Sequence, residues 1–273
     1  APENRLTCAI RHGLLSPGKR VRPLITLLAC RQAGADERNA IDAACAVEMV
    51  HAASLIMDDL PSMDDARLRR GCLATHVVFG EGAAMLATVA LLNEAFRIVA
   101  DAPMIADAAK LRVVSHLTSA IGLEGLAAGQ DRDIACATSA SGSVSMQEME
   151  KRHLEKTGAL FAAAAAIGAE VAQAPAETVA RYREYGCSLG LAFQAYDDVV
   201  DVACSAEDAG KDVSQDQDKS TVVSLLGADG ARVLAERRLA RAIECAEADG
   251  RNDGAPLADF ARMIGAKFHS LTN

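Results

Sequence analysis

Residues 40–59 read AIDAACAVEMVHAASLIMDD. The stretch has few helix breakers and carries apolar residues almost all round, the pattern of a helix enclosed by other structure. Further helices are predicted over 83–100, 146–171, 177–204 and 230–248, and no stretch alternates as a strand does. Hydrophobic residues make up 51% of the 273, yet only 3% are aromatic and none is Trp. A core of Ala, Leu, Val and Ile suits close-packed helices better than a sandwich, so the predicted fold is all-α. With neither a fixed-period repeat nor a shift in composition, one large helical domain over 1–273 is expected. Turns are predicted at SPGKR, LRRGCL, FGEG and GADG, and loops at 131–145 and 205–221.

A net charge of −9 argues against nucleic acid as a partner, and any polyanion must meet a local basic patch or a metal. The eight cysteines are scattered without a CxxC pair, which predicts reduced thiols in a cytoplasmic protein. The longest apolar run, ALFAAAAAIGA, is too short to span a bilayer, so no membrane insertion is expected. No signal peptide opens the chain, and a start at APENRL without Met suggests that upstream residues have been trimmed.

The helix over 40–59 runs into DDLPSMDD, residues 58–65, which holds four carboxylates around a proline. Crowded like charges are costly unless water or a cation answers them. Asp58 and Asp64 lie six residues apart, about 240° around a regular helix at roughly 100° per residue. They converge only if the helix breaks between them, and Pro61 is where it can. A second cluster, DDVVD, holds Asp197, Asp198 and Asp201, with Asp197 and Asp201 on one helix face. Either cluster alone reads equally well as a solvated helix end. Two clusters, each beside an apolar stretch, point to a hard cation bound by oxygen, and Mg²⁺ fits a set without His or Cys. Cations lie near them: Lys19, Arg20 and Arg22 in GKRVRP, Arg67, Arg69 and Arg70 in RLRRG, then Lys156, Lys211 and Lys219. Arg forks and Lys point charges both suit phosphate, and no P-loop is present.

GKRVRP, HAASLIMDDLPSMDDARLRRG, HVVFGEG, GLAAGQDRD, EKTGALF, GLAFQAYDDVVD and GKDVSQDQDKSTVVSLLG, spread over about residues 16 to 227, together resemble the trans-type isoprenyl diphosphate synthases. AMLATVALLNEAF and KDVSQDQDKST are most similar to the bacterial carotenoid-type geranylgeranyl diphosphate synthases. The resemblance implies an all-helical homodimer of the isoprenoid synthase type, with the two Asp motifs facing each other across a central cavity. It implies that Lys19, Arg22, His51 and Arg70 bind isopentenyl diphosphate. Arg69, Lys156, Lys211 and Lys219 would hold the allylic diphosphate. Asp58, Asp59 and Asp64 would serve two Mg²⁺ ions, and Asp197, with Asp198 and Asp201 in support, a third. Thr157 and Gln194 would face the developing allylic cation. His51 shares a helix face with Asp58, whereas His76 is expected to be structural.

The implied reaction joins isopentenyl diphosphate to dimethylallyl, geranyl or farnesyl diphosphate by ionisation, condensation and proton loss. Beneath Asp58 the side chains of Ala52, Ala53 and Ser54 are small, and fifteen-carbon members of the family commonly carry an aromatic at the position of Ala53, so its absence implies a twenty-carbon product. Small residues there equally allow close helix packing, and Met85, Leu86 or Phe161 are alternative candidates for the cavity floor. A farnesyl-forming enzyme is the near alternative, and a class I terpene cyclase or a non-catalytic subunit the more distant ones. The chain departs from the family pattern at Ala87-Thr88-Val89, where many members read AGD, and in a shortened segment before GKRVRP.

Overall fold

A computed structural model describes residues 4–138, 145–203, 221–248 and 254–272, the side chains of 136–138, 201–203, 271 and 272 excepted. The chain begins with α1 (Arg5–Leu15), α2 (Val21–Gln32), a 3₁₀ turn (Glu37–Ala40) and α3 (Ile41–Asp58). A hairpin of two-residue strands, β1 (Leu68–Arg69) and β2 (Cys72–Leu73), leads to α4 (Thr75–Phe79), α5 (Glu81–Asp101), α6 (Asp107–Ile121) and α7 (Leu126–Thr138). Then come α8 (Met146–His153), a π turn (Leu154–Gly158), α9 (Ala159–Val171), α10 (Ala176–Ala203), α11 (Val222–Glu247) and α12 (Pro256–Thr272).

Local chemistry starts several of these helices. The Asn4 carboxamide caps α1 by accepting from the Thr7 N–H at 2.9 Å. Ser145 and Glu148 form a reciprocal capping box at α8, as Thr221 and Ser224 do at α11.

Packing does the rest. Every residue of α9 from Leu160 to Val171 is buried, with α2, α6 and α10 against it. Its small side chains let backbones approach closely. A Cβ on Gly168 would stand 2.3 Å from the Thr26 carbonyl oxygen, and one on Gly186 2.3 Å from that of Phe161. A smaller cluster around Ala53, Ile56, Leu60, Ala84 and Leu91 joins α3 to α5, and Met49 and Leu92 pack against both it and the main core.

The all-α expectation holds, with refinements. The loop predicted from residue 131 is helical as far as Thr138. The span 146–171 is interrupted by the π turn, and α11 starts at Val222, eight residues before the predicted 230, with a kink at Gly227 (φ 72°, ψ 169°). LRRGCL makes a short antiparallel pairing, Leu68 with Leu73 and Arg69 with Cys72. The six described cysteines, 8, 30, 45, 72, 187 and 245, are free thiols. Glu37–Asp58 and Glu81–Asp101 are long and apolar enough to cross a bilayer by length and composition, which apolar runs alone did not suggest. The first is largely buried in the core, whereas α5 turns Met85, Leu86 and Val89 outward.

Candidate active site

The expected helix break between Asp58 and Asp64 is present, and it falls ahead of Pro61. α3 ends at Asp58, and the chain turns back so that the Asp64 N–H donates to the Asp58 carbonyl oxygen at 2.9 Å. Burial, followed by the charge of Asp64 and then Asp59, pushes the Asp58 carboxyl up to about 6, against the pull of Lys156 and Arg69. Asp59 is buried and accepts from Arg69 Nε at 2.7 Å and from the same guanidinium's Nη2. That pairing ties the hairpin to the end of α3.

Behind Asp58 lies a cavity of about 170 Å³, partly open to solvent. Val50, Ala53, Ser54 and Met57 of α3 form one wall, Thr88 and Leu92 of α5 a second, and Ile121, Leu126, Ala127 and Gln130 a third. Asp58 and Lys156 also line it. Polar groups at one end of an apolar cleft suit an amphiphile with a charged head. Ala53 and Ser54 therefore do line the cavity. Of the alternative floor residues, Met85 and Leu86 are exposed on the outside and Phe161 is fully buried elsewhere in the core. Thr88, Leu92, Ile121 and Leu126 take that place. Only α5 was predicted near them, and the helix containing Ile121 had not been recognised.

Lys156 sits on the π turn, whose wider turn is a recurrent feature of functional sites. Its ammonium donates to Asp133 of α7 at 2.6 Å, and Arg152 lies 3.6 Å from the other oxygen of that carboxylate. α7 comes this close because residue 129 is glycine: a Cβ there would lie 2.6 Å from the Lys156 backbone nitrogen. Asp133 belongs to GLAAGQDRD, so the motif was visible, but the partner 23 residues on was not. From the next residue, Thr157 Oγ1 donates to Gln194 Oε1 at 2.9 Å. Gln194 Nε2 donates to Asp198 Oδ1 at 3.0 Å, and Asp198 Oδ2 accepts the Val222 N–H at 2.9 Å. Asp198 thus braces the start of α11, and Asp197 precedes it on α10. Asp201 lies on α10 with its side chain outside the described residues, as do Lys211 and Lys219 entirely.

A second basic group lies around His51. Its Nε2 is 3.2 Å from Arg22 Nη1 and 3.2 Å from Arg70 Nη2. Guanidinium only donates, so this nitrogen accepts and the ring is neutral. Burial first, then the neighbouring arginines, hold its pKa well below the usual range. Arg22 is itself brought down to about 10, chiefly by burial, and its Nε has no partner among the described residues. Lys19 is exposed beside them, its Nζ 5.4 Å from the centre of the Phe193 ring. Arg20, between Lys19 and Arg22, turns away in a left-handed conformation (φ 47°). It pairs with the buried Glu48 and donates to the Ser16 carbonyl at 2.6 Å. Glu48, one turn before His51, supplies the counter-charge for this group and was not anticipated.

The polyprenyl synthetase family profile matches residues 3–251. A chloroplastic geranylgeranyl pyrophosphate synthase of Arabidopsis thaliana is 43% identical over 263 residues, 95% of this chain and 73% of that one. An FPP/GFPP synthase from Zymomonas mobilis superposes with a TM-score of 0.85 at 31% identity, over 98% of this chain and 89% of its own. A geranyltransferase from Helicobacter pylori, solved with magnesium and isoprenyl diphosphate, gives a TM-score of 0.83 at 26% identity, over 99% and 89%. With two acidic motifs, a basic group and an apolar cleft placed in the order the motifs implied, the chain belongs to the polyprenyl synthetase family, the trans-isoprenyl diphosphate synthases.

Proposed function

We propose that the protein condenses isopentenyl diphosphate with allylic diphosphates and releases geranylgeranyl diphosphate. The observation that carries the reading is the cavity itself: an apolar cleft closed at one end by Asp58 and Lys156, with a separate basic group around His51. One anion site with a greasy tunnel behind it suits the allylic substrate, and the second anion site suits isopentenyl diphosphate. A terpene cyclase ionises a single diphosphate and has no use for Lys19, Arg22, His51 and Arg70 gathered at a second place.

Asp58 and Asp64, with Asp197 from the other cluster, fit up to three Mg²⁺ ions. The donors are hard oxygens, the kind this ion takes. An ion held here by few carboxylates would take its remaining ligands from phosphate and water. When bound, the metal would neutralise charge on the departing diphosphate. Lys156, fixed by Asp133, adds a positive charge at the same end before any bond breaks, at no reorganisation cost. Thr157 Oγ1 donates its proton to Gln194 and so turns its lone pairs toward other groups, a disposition suited to an allylic cation. The neutral, buried His51 is an acceptor held by two arginines and is no base for the final proton; departing diphosphate takes that proton.

Ala53 and Ser54 put small side chains on the cavity wall, which favours a twenty-carbon product, and a fifteen-carbon product is the second reading. A second copy of the chain would cover Met85, Leu86 and Val89 on α5, giving the homodimer that the resemblance implies. Replacing Leu86 and Val89 by Glu should then yield monomers in light scattering.

The deciding assay supplies labelled isopentenyl diphosphate, each allylic diphosphate and Mg²⁺, and reads product lengths by chromatography. Elongation to twenty carbons is expected. Release of diphosphate without consumption of isopentenyl diphosphate would refute the condensation.

A further inference from the structure

The chain has nine aromatic side chains, six Phe and three Tyr, and four of them form one cluster beneath the cations of GKRVRP. Phe161 of α9 and Phe193 of α10 lie with centroids 5.6 Å apart. Phe268 of α12 meets Phe193 edge-on at 5.3 Å and stacks on Tyr196 at 4.6 Å with planes 6° apart. Lys19 Nζ stands 5.4 Å from the Phe193 centroid and 5.7 Å from that of Phe268, and the Arg22 guanidinium 4.5 Å from that of Phe161. Among the described residues no carboxylate lies within salt-bridge distance of Lys19. The difference matters for an anion site. A carboxylate would occupy one of the ammonium's donors and offset part of its charge, whereas a ring face orients it by its quadrupole and leaves its N–H donors available.

Phe268 is 4% exposed, and α12 is firmly seated: the Tyr185 hydroxyl donates to the Leu257 carbonyl at 2.8 Å, and the Leu257 N–H donates to Gln32 Oε1 at 3.0 Å. The family match ends at residue 251, before this helix begins.

We propose that Phe268, together with Phe193, is the seat that orients Lys19 toward the diphosphate of isopentenyl diphosphate, so that the docked C-terminal helix sets affinity for that substrate. Phe268 is a positioning residue, acting through Lys19, and the proposal rests on the reading of Lys19 as a diphosphate ligand.

The test is steady-state kinetics of the full chain with Mg²⁺, varying each substrate at saturation of the other. Phe268→Leu should raise KM for isopentenyl diphosphate about two- to fivefold, the range expected for one cation–ring contact. KM for the allylic diphosphate and kcat should stay the same, and Phe268→Tyr should restore the wild-type value. An unchanged KM for isopentenyl diphosphate, or an equal rise in both KM values, overturns the proposal. Should Phe268→Leu fail to fold by circular dichroism, a series of progressively fluorinated phenylalanines at 268 decides, since fluorination drains the ring face while nearly preserving shape. A KM that climbs with fluorination supports the seat, and a flat series removes it. If the wild-type chain makes no condensation product, the function proposed for the site has failed instead.

Discussion

The Lys156 ammonium and the Asp133 carboxylate meet at 2.6 Å across the contact between the π turn and α7, and Arg152 approaches the other oxygen of the same carboxylate. Asp133 is therefore the fixed point from which the cation at the cavity mouth is held. Asp133→Ala would remove the carboxylate that Lys156 and Arg152 share, at a cost of about 3–5 kcal/mol where such a charge is buried. Asp133→Asn, which keeps the shape, should cost less in urea unfolding but still depress kcat, because Lys156 loses its anchor. Normal kcat in Asp133→Asn would show that Lys156 needs no such anchor.

Asp58 should pit stability against function. Its carboxyl is raised from 3.8 to about 6 by burial and by neighbouring carboxylates, so ionising it opposes folding. Asp58→Asn should raise the stability of the metal-free protein by about 1–2 kcal/mol above pH 6, after allowance for solvent contact. The folded pKa lies above the unfolded one, so the gain should shrink as pH falls from about 6 and vanish near 4. The same variant should lose turnover by roughly a thousandfold, about 4 kcal/mol of transition-state stabilisation. A less stable Asp58→Asn would contradict the electrostatic account.

His51 predicts a pH dependence of the opposite sense. It stays neutral in the folded protein well below 6.5, while in the unfolded chain it gains a proton near 6.5. Stability should therefore fall as pH drops below about 6.5. His153, held at about 4 mainly by burial, adds to the same slope. Removing His51 as His51→Gln should reduce the slope by up to about 1.4 kcal/mol per pH unit. Urea midpoints between pH 7.5 and 5 measure it, and an unaltered slope would mean that the ring titrates normally.

Product length should respond on two walls. Ala53 is 1% exposed, Thr88 is buried, and both line the cavity. Ala53→Tyr should shift the main product to fifteen carbons, and Thr88→Phe should shorten it from the α5 side. Overpacking at either position costs about 1–3 kcal/mol, so stability is to be measured alongside. Unchanged chromatograms from both variants would move the floor of the cleft elsewhere.

Much of this was readable along the chain. The enclosed helix over 40–59, the break ahead of Pro61 and the two acidic clusters depend on spacing and on one proline, both local properties. The π turn was not readable, because its extra residue is accommodated only by packing: Gly158 approaches Gly190, where a Cβ would meet the Gly158 Cα at 2.9 Å. Helices α1, α2, α4, α6, α7 and α12 fall outside the spans that periodicity picked out, and burial against the core, as of Ile25 in α2, Val113 in α6 or Ile264 in α12, stabilises them rather than propensity.

By itself the sequence determined the helical class, the family and the two kinds of charge at the site, since periodicity and motif order are written in neighbouring residues. Only the tertiary structure decided which charges face each other. Asp59 is taken by Arg69, Arg20 by Glu48 and Lys156 by Asp133, while Lys19 rests on rings contributed by α10 and α12. Pairing energies depend on distance and local dielectric, and both are set by how helices far apart in the chain pack together.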